Sequence, residues 1–483
     1  MKSIQKKFIA LFMIMVFVLA LVGCGKKNEI DEEFVLLTAE DIKNSSGVEI
    51  DFRVPSGVIS KALETLIPEF EAEWDGKIDV ELVIEASGYD GVRTTTVLDL
   101  NSKTAPTIVL GYPDHFAEYY SGDHILNIQP YVDAEGVEFN IDDFVGSYLE
   151  ENRIADNSTD LYGLPLNKST EVLTYNKTVF EAMNYTVPTT WQEIVALGNQ
   201  IIADVKAKKL DNIEGIEFAK GEKKPSEYEA MGQFYPIAYD STSNAFITMC
   251  RQWNAAYTEK DDIEHGYAMF NNAQCKAGLA YFQGLAQNKL YAVAETFDSN
   301  YASDAFKLMK CVMTVGSSAG VGYNTNTKFT VGIAKAPYNA ENPDAKYVIQ
   351  QGTNMAILNQ NTNLQRAAAW QLLKWLTSTE ITAKFCIAAG GYVPVRQSAY
   401  ETESYKEFLN EPSIDDTDYS NSANVALTYL KEGYKFFFDP AFVGSAEVRD
   451  NVGTLMSNVI VQNKNINQAI DDVLSKLGPA YQR

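Results

Sequence analysis

A run of polar side chains in the first half of the sequence suits hydrogen bonding to a small polar solute better than covalent chemistry. Residues 167–170 read N-K-S-T and are separated by Glu171 alone from the apolar stretch V-L-T-Y of residues 172–175. A backbone that leaves one domain for another at such a point places its polar groups, Lys168 and Ser169 among them, in the crevice between the domains. An ordinary loop that enters a buried strand is the alternative.

Two further loops each pair a tyrosine with an acid after an apolar stretch. Residues 86–90 read A-S-G-Y-D, and residues 111–114 read G-Y-P-D. Tyr89 can stack on a sugar face or donate a hydrogen bond, whereas a core tyrosine would do neither. The Asp114 carboxylate can accept hydrogen bonds from hydroxyl groups, or it can cap the helix that follows Pro113.

Small and polar residues mark three more candidate positions. Ser317 lies in G-S-S-A-G, Gly352 lies in G-T-N, and Tyr392 lies in the turn G-G-Y-V-P. The side-chain amides of Asn244 and Asn354 are further candidates for hydrogen bonds to a ligand. The Arg449 guanidinium could hold a phosphate, a carboxylate or paired sugar hydroxyls. A surface ion pair with Glu447 or Asp450 is the alternative for Arg449.

The sequence carries no pattern that predicts catalysis, a metal or a cofactor. His115, His124 and His265 lack metal-ligand spacing, and no carboxylate pair or nucleophile motif stands out. Apart from Cys24, the chain has four cysteines, Cys250, Cys275, Cys311 and Cys386, and none of them stands in a C-x-x-C pair. Disulfides and buried free thiols are both alternatives for these four. We therefore predict a protein that is not an enzyme.

The first residues are typical of an export signal. Lysines at positions 2, 6 and 7 precede the apolar run of residues 8–22, which is shorter than the ~20 residues of a membrane span. The ending L-V-G-C resembles a bacterial lipobox. We predict a lipoprotein signal peptide over residues 1–23, a lipid on Cys24 and a flexible tether over residues 24–47. The chain is then held on the extracellular face of the cytoplasmic membrane, in the periplasm if the source has an outer membrane.

Charge and hydropathy exclude two classes of protein. The net charge is −24 for the whole chain, and the signal contributes only positive charge. Such a chain lacks the basic surface that nucleic-acid binding requires, and the charge favours a soluble monomer. No later apolar run approaches a membrane span in length, so the sequence does not describe a channel or a permease.

The elements near the start of the globular region predict an α/β fold. Alternating apolar residues predict strands over residues 49–54 and 78–84, and apolar residues at steps of three and four predict a helix over residues 59–74. A strand, a helix and a strand at this spacing form a unit with parallel strands. The loops that contain Tyr89 and Asp114 then follow strand ends and open on one crevice.

The chain resembles the extracellular solute-binding proteins (family 1) of ABC importers, in the group that takes sugars and glycerol 3-phosphate. The most specific stretch is P-L-N-K-S-T-E-V-L-T-Y-N-K, which is similar to the family's P-F-N-S-S-T-P-V-L-Y-Y-N-K. Supporting stretches are A-P at 105–106, M-T-V-G-S-S, Q-G-T-N and G-G-Y-V-P. The resemblance covers nearly all of the chain after residue 48.

The resemblance also implies the residues that contact the ligand, position by position. The family's binding positions fall on Tyr89, Ser169, Ser317, Gly352, Tyr392 and Arg449. The family's acid falls on Pro113, one residue before Asp114. A tryptophan pair of the relatives falls near Ser241 and Asn244, where this chain has none, and Lys168 replaces a serine. The same ligand therefore does not follow from the resemblance.

The implied fold is a two-lobed periplasmic-binding-protein-like (type II) α/β fold, with hinge strands that cross beneath a ligand cleft. We predict an N-terminal lobe from residues 48–167 and 318–376, and a C-terminal lobe from residues 168–317 and 377–483. The predicted function is capture of a carbohydrate or glycerol-3-phosphate-type solute, without any cofactor, for delivery to ABC permease subunits. A secreted carbohydrate-active enzyme and a surface adhesin lipoprotein are the alternatives.

Overall fold

The computed structural model describes residues 32–410 and 419–483. The predicted signal peptide and Cys24 lie outside the described residues. The tether prediction is wrong from residue 32 onward, because this stretch packs on the body of the protein. Helix α1 (Ala39–Asn44) begins at a Thr38 cap and buries Ile42 completely, and the Asn363 backbone N–H donates to the Glu32 carboxylate over 2.9 Å.

The first sheet has five strands, and it forms the centre of the first lobe. Strand β1 pairs in parallel with β2 and β3, and β13 pairs antiparallel with β3 and β4. The spatial order is β2 (Ile78–Glu85), β1 (Val48–Pro55), β3 (Ile108–Gly111), β13 (Asn354–Ile357) and β4 (Leu164–Pro165). The predicted strands over residues 49–54 and 78–84 are thus confirmed.

The second sheet also has five strands, and it forms the centre of the second lobe. Strand β5 lies between two antiparallel neighbours, β11 and β10, while β10, β6 and β9 run parallel to one another. The spatial order is β11 (Val331–Lys335), β5 (Glu171–Asn176), β10 (Met313–Ser317), β6 (Ile237–Tyr239) and β9 (Tyr291–Val293). Two short ladders add β7 (Thr258–Lys260) with β8 (Gly266–Ala268), and β12 (Tyr347–Ile349) with β14 (Lys435–Phe437).

Helices cover both sheets. Those of the first lobe are α2 (Val58–Glu73), α3 (Gly88–Ser102), α4 (Pro113–Ser121), α5 (Gln129–Glu135), α6 (Gly146–Glu150), α13 (Asn363–Leu376), α14 (Thr379–Ala389) and α15 (Glu403–Asn410). Those of the second lobe are α7 (Lys177–Met183), α8 (Trp191–Lys206), α9 (Pro225–Ala230), α10 (Thr242–Gln252), α11 (Ala273–Gln287), α12 (Ala302–Lys307), α16 (Tyr419–Thr428), α17 (Ser445–Ile460) and α18 (Ile466–Leu477). None of these described helices has both the length and the apolar character of a membrane span.

Local sequence signals explain several helix ends and faces. At the start of α8 the Thr190 hydroxyl accepts from the Glu193 backbone N–H, and the Glu193 carboxylate accepts from the Thr190 backbone N–H, so both donors are satisfied. Helix α18 turns Ile470, Val473 and Leu477 into the core, as its apolar spacing requires. The termini of these helices therefore depend on local contacts, whereas their positions depend on the apolar faces.

Each lobe has its own hydrophobic core. The first core joins Phe52 of β1, Leu63 of α2 and Trp370 of α13, and the second joins Leu173 of β5 and Leu455 of α17. Burial of side chains this large stabilises each lobe by about 1.5–3 kcal/mol per residue. The four described cysteines, Cys250, Cys275, Cys311 and Cys386, are buried free thiols.

The chain crosses between the lobes at residues 166–170 and again at residues 350–353. The two crossings pair with each other, since the Ser169 N–H donates to the Gln351 carbonyl over 3.0 Å and the Gln351 N–H donates to the Ser169 carbonyl over 2.9 Å. Gly352 has φ +100°, and a Cβ there would lie 1.8 Å from the Asn167 carbonyl oxygen. Glycine is thus required where the two crossing backbones meet.

Two segments lie in a different lobe from the predicted one. Residues 318–349 were assigned to the N-terminal lobe, but β11 is hydrogen-bonded to β5 in the second sheet and β12 to β14. Residues 377–410 were assigned to the C-terminal lobe, but α14 packs against α2, and Tyr405 of α15 joins the first core. A strand belongs to the sheet that satisfies its backbone, and sequence order does not reveal which sheet that is.

Candidate functional site

A cleft between the two sheets contains two adjoining cavities. The cavities have volumes of about 270 and 340 Å³, and both are bounded by Tyr112, Gln351 and Gly352. Tyr112 follows β3 of the first lobe, while Gln351 and Gly352 belong to the second crossing. We call the smaller cavity the arginine compartment, because Arg449 lines it, and the larger one the tyrosine compartment, because Tyr89 and Tyr392 line it.

Strand-end loops of the first lobe form one wall of the cleft. Strands β1, β2 and β3 are parallel, so the residues that follow them emerge at the same edge of the sheet. Pro55 ends β1, Tyr89 follows β2, and Tyr112 and Asp114 follow β3. All four residues line the cavities, as the crevice prediction requires.

Helix starts of the second lobe form the opposite wall. The arginine compartment is lined there by Ser241 and Asn244 at the start of α10, and by Ser445 and Arg449 in the first turns of α17. Helix starts leave some first-turn backbone N–H groups without a partner in the helix, although the Asn244 N–H donates to the Ser241 hydroxyl and the Ser445 N–H to the Phe442 carbonyl. Each lobe therefore contributes polar groups to the same space.

Arg449 reaches the arginine compartment with its side chain held at two points. One Nη donates to the Asn244 side-chain oxygen, and the other lies 3.9 Å from the Asp439 carboxylate. Burial disfavours the charged guanidinium, but the Asp114 and Asp439 carboxylates outweigh this and raise the pKa of Arg449. The guanidinium stays charged, and a third of the side chain remains exposed.

The lining of the arginine compartment carries more negative than positive charge. Among its described residues, Glu151 is paired with Lys168, and Asp439 lies 3.3 Å from Arg251. Asp90, Asp114 and Asp450 remain, with Arg449 as the single lining lysine or arginine. Burial and the neighbouring Asp90 raise the pKa of Asp450. No group of three or more described His, Cys, Asp or Glu side chains is arranged to hold a metal ion.

The tyrosine compartment is less charged. Tyr89 and Tyr392 lie beside each other, and burial raises the pKa of both hydroxyls, which stay neutral. The Tyr89 and Tyr112 rings are 5.1 Å apart between centroids, so they form a continuous aromatic wall. Asp240 is the one described carboxylate in the lining, and burial raises its pKa to about 6.

The structure brings most of the predicted ligand-binding residues to this cleft. Asp114, Asn244 and Arg449 line the arginine compartment; Tyr89, Ser169, Ser317 and Tyr392 line the tyrosine compartment; Gly352 lines both. The Ser317 hydroxyl donates to the Ser169 hydroxyl over 3.4 Å, so the two predicted serines are neighbours. Asp114 also accepts from the His115 N–H in the first turn of α4.

Lys168 and Asn354 do not line the cleft, so the structure does not bring these two ligand-binding candidates to it. The Lys168 side chain is completely buried, where it forms an ion pair with Glu151 and donates to the Asn354 side-chain oxygen over 2.9 Å. Asn354 in turn donates to Glu151 over 2.8 Å. An ion pair with this many hydrogen bonds satisfies a lysine that would otherwise be too costly to bury.

Several lining residues escaped the sequence-based prediction. Tyr112 stood in a loop that the sequence did point to, and its aromatic ring was the available signal. Gln350 and Gln351 directly follow β12 and adjoin Gly352, which was their signal. The others are brought to the cleft by long-range packing; they are Tyr257, Tyr301, Tyr323, Asp439 and Asp450.

The chain matches one known protein family in sequence and several solved structures in fold. Residues 65–411 match the sequence profile described as "bacterial extracellular solute-binding protein". No curated protein matches the chain in sequence. The profile spans more than half of the chain and includes both crossings and, of the first wall of the cleft, Tyr89, Tyr112 and Asp114.

Solved structures match over almost the full length of the chain. UgpB from Mycobacterium tuberculosis in complex with glycerophosphocholine is 19% identical, with a TM-score of 0.69 over 89% of this chain and 98% of that one. An ABC substrate-binding protein of Listeria monocytogenes in complex with cycloalternan is 14% identical, with a TM-score of 0.69 over 90% and 100%. Maltose-bound MalE3 of T. maritima is 16% identical, with a TM-score of 0.66 over 89% and 99%. These similarities establish the two-lobed fold.

Proposed function

The chain belongs to the bacterial extracellular solute-binding protein family, and from this premise we propose that it captures a carbohydrate-type solute between its lobes for an ABC importer. Members of this family bind solutes outside the cell. The observation that carries the proposal is the cleft itself, whose walls come from both lobes and whose floor is the pair of crossings. A solute that contacts both walls stabilises the closed arrangement of the lobes.

The charges of the cleft favour an uncharged polyhydroxy solute over a phosphate monoester. Within the described lining, Arg449 faces Asp90, Asp114 and Asp450, and no lysine or arginine lines the tyrosine compartment. A phosphate needs several cationic or N–H donors, and adjacent carboxylates repel it. Sugar hydroxyls both donate to carboxylates and accept from helix-start N–H groups. Tyr89 and Tyr112 supply the aromatic surface on which a sugar face packs.

Relatives of similar fold support the same class of ligand. The compared structures hold maltose, cycloalternan and glycerophosphocholine. Two are carbohydrates, and the third is a glycerophosphodiester with a cationic group. Glycerol 3-phosphate itself, which the sequence resemblance suggested, is the least compatible with the carboxylates around Arg449. We place it last among the solutes to test.

Delivery and location complete the proposal. A closed solute-binding protein presents both lobes to a membrane permease, and the lobes must open again to release the solute. A lipid on Cys24 holds the protein on the outer face of the membrane as a monomer beside that permease. Replacement of Cys24 by serine is expected to move the protein from the membrane fraction to the soluble fraction after cell fractionation. Retention in the membrane would contradict the anchor.

A thermal-shift panel tests the binding function. We expect oligosaccharides or polyols to raise the melting temperature most, glycerophosphodiesters less and glycerol 3-phosphate least, because only a solute bound to the native state stabilises it. At a concentration of 100 times Kd the stabilisation is about 2.7 kcal/mol. Tyr89→Ala should reduce the shift, and Arg483→Ala, at an exposed arginine outside the cleft, should not.

The alternatives give different outcomes in the same samples. If no solute in the panel raised the melting temperature, the importer function would lose its support and an adhesin would be favoured. Cleavage of an oligosaccharide, followed by chromatography of the products, would indicate a carbohydrate-active enzyme. We expect each oligosaccharide to be recovered intact.

A further inference from the structure

Glu171 is a buried carboxylate that connects to Arg449 in the cleft through the Asn244 side chain. It is the first residue of β5, one residue beyond the crossing, and it is 1% exposed. Its carboxylate accepts hydrogen bonds from the Tyr239 hydroxyl and, over 2.9 Å, from the Asn244 side-chain amide. The Glu171 backbone carbonyl accepts from the Tyr429 hydroxyl over 2.6 Å. Glu171 is therefore fixed on three sides and does not itself line the cleft.

Asn244 connects this carboxylate to Arg449. Its Nδ2 donates to Glu171, so its Oδ1 points the other way and accepts from the Arg449 guanidinium. An amide has one donor end and one acceptor end, so the partner on one side decides what the other side offers. An ionised Glu171 accepts only, and it therefore selects the amide orientation that holds Arg449.

We propose that Glu171 is a positioning residue that sets the direction of the Arg449 guanidinium in the cleft through Asn244, and that protonation of Glu171 weakens this hold on Arg449. This inference rests on the proposed function, since it concerns how the same cleft is tuned for its solute. A less firmly held guanidinium retains Asp439 on its own lobe and Asp114 on the opposite lobe as partners. The proton thus changes how firmly Arg449 is held for a solute.

The arrangement departs from the family pattern that this sequence resembles. The family pattern has proline where this sequence has Glu171, and the relatives' tryptophan pair falls near Ser241 and Asn244. A proline carries no acceptor side chain, and a tryptophan cannot bridge a carboxylate to a guanidinium as an amide does. Glu171 and Asn244 occupy these two positions together and contact each other. A hydrogen-bonded connection thus stands where the family pattern places a proline and aromatic rings.

The environment of Glu171 makes its protonation accessible near neutral pH. Burial raises the pKa of Glu171 to about 7, although hydrogen bonds from Tyr239 and Asn244 and the charge of Arg449 oppose the rise. Asp240, at the end of β6, adds a weaker effect of the same sign as burial. Tyr291 of β9 also faces Glu171, and burial keeps its hydroxyl neutral by raising its pKa.

Protonation changes the hydrogen bonds around Glu171. The acid O–H can be donated to the Tyr239 hydroxyl, which accepts as well as donates, so Asn244 keeps its orientation. The Asn244 amide then donates to a neutral acid oxygen and no longer to a charged carboxylate, and a hydrogen bond to a charged group is about twice as strong as a neutral one. Asn244, and through it Arg449, is held less firmly in this state.

Side-chain NMR of the protein labelled with ¹⁵N-arginine tests the inference without any solute. The Arg449 Nε–H resonance, identified by its absence in Arg449→Lys, is expected to titrate with a midpoint near the Glu171 pKa of about 7. In Glu171→Gln the resonance should not titrate and should stay near the position seen in the original protein at acidic pH. The glutamine oxygen can still accept from Asn244, and its amide can donate to Tyr239, so the geometry is kept while the charge is removed.

Two further variants keep the test decisive. Asn244→Leu should abolish the titration while Glu171 remains, and His265→Gln, at an exposed histidine outside the cleft, should leave it unchanged. A resonance that does not move from mildly acidic to mildly alkaline pH would overturn the proposal. So would a transition near pH 6 that persists in Glu171→Gln, since it would assign the effect to Asp240. Neither result would count against solute binding, because the thermal-shift panel tests that function independently.

Discussion

Two buried networks flank the first crossing, and each combines one basic side chain with one glutamate. On the side of the first lobe, Lys168 pairs with Glu151; the Lys168 side chain is completely buried, although Glu151 borders the arginine compartment. On the side of the second lobe, Glu171 connects through Asn244 to Arg449, whose side chain is a third exposed in the cleft. We call the first network closed, because its cation is buried where it supports the crossing, whereas the second presents its cation to the proposed solute.

This difference shows that residue type alone does not tell whether a basic side chain stabilises the crossing or contacts the solute. Lys168 lies in the motif that most resembles the solute-binding family and yet does not line the cleft. Glu171 lies three residues further on and connects to the cleft indirectly. Burial and the number of internal partners separate the two roles: a basic group with every donor used inside the protein has none left for a solute.

The largest expected effect is on the closed network. Lys168→Met should destabilise the protein by about 3–5 kcal/mol, because it leaves the Glu151 carboxylate buried without its cation. Urea unfolding of the variant measures the loss. Lys177→Met, at an exposed lysine nearby, is the matched control and should change stability by less than about 0.5 kcal/mol. Equal effects of the two substitutions would contradict the closed network.

A smaller effect, dependent on pH, is expected at Glu171. The folded state holds a proton on Glu171 up to a pKa of about 7, above its ordinary value of 4.5, so native Glu171 binds more protons than unfolded Glu171 in that interval. The contribution of Glu171 to stability therefore falls as pH rises from 4.5 to 7 and is constant above it. The integrated change is about 3 kcal/mol.

Glu171→Gln isolates this contribution. The variant should gain stability relative to the original protein as pH rises through the same interval, when urea unfolding of both is compared at each pH. Asp240 titrates with the same sign, but it is present in both proteins and cancels in the difference. A difference in unfolding free energy that does not vary with pH would show that Glu171 is ionised throughout.

The smallest effect on folding, but a clear one on binding, is expected at Arg449. Arg449→Ala should weaken the best solute of the panel by about 1.5–3 kcal/mol, because a charged hydrogen-bond donor is lost from the cleft. Asp439 retains Arg251, so stability should change little. Titration calorimetry measures the affinity, and Arg483→Ala serves as the control. Unchanged affinity for every solute would remove Arg449 from the site.

Local patterns predicted much of the fold. The alternating residues of β1 and β2 and the apolar stripe of α2 each depend on neighbours in sequence, and the structure has each element at its predicted place. The assignment of β11 to the second sheet and of α14 to the first core depends on pairings across many residues. Sequence patterns carry no information on such pairings, so the lobe boundaries were wrong.

The candidate site divides in the same way. Tyr89 and Asp114 follow strand ends, and the resemblance to the family placed Ser169, Ser317, Gly352, Tyr392 and Arg449; all of them line the cleft, and their contact with a solute stays a prediction. The roles of Glu151 and Glu171 could not be predicted, because each depends on partners from distant segments. The amino-acid sequence does not distinguish a buried glutamate from an exposed one.

A crystal structure of the protein with the solute that gives the largest thermal shift tests the central claim most directly. The account predicts that the solute lies in the cleft, against Tyr89 or Tyr112 of the first lobe and in contact with Arg449 of the second. A solute bound on an outer face, or one whose contacts come from a single lobe, would contradict it.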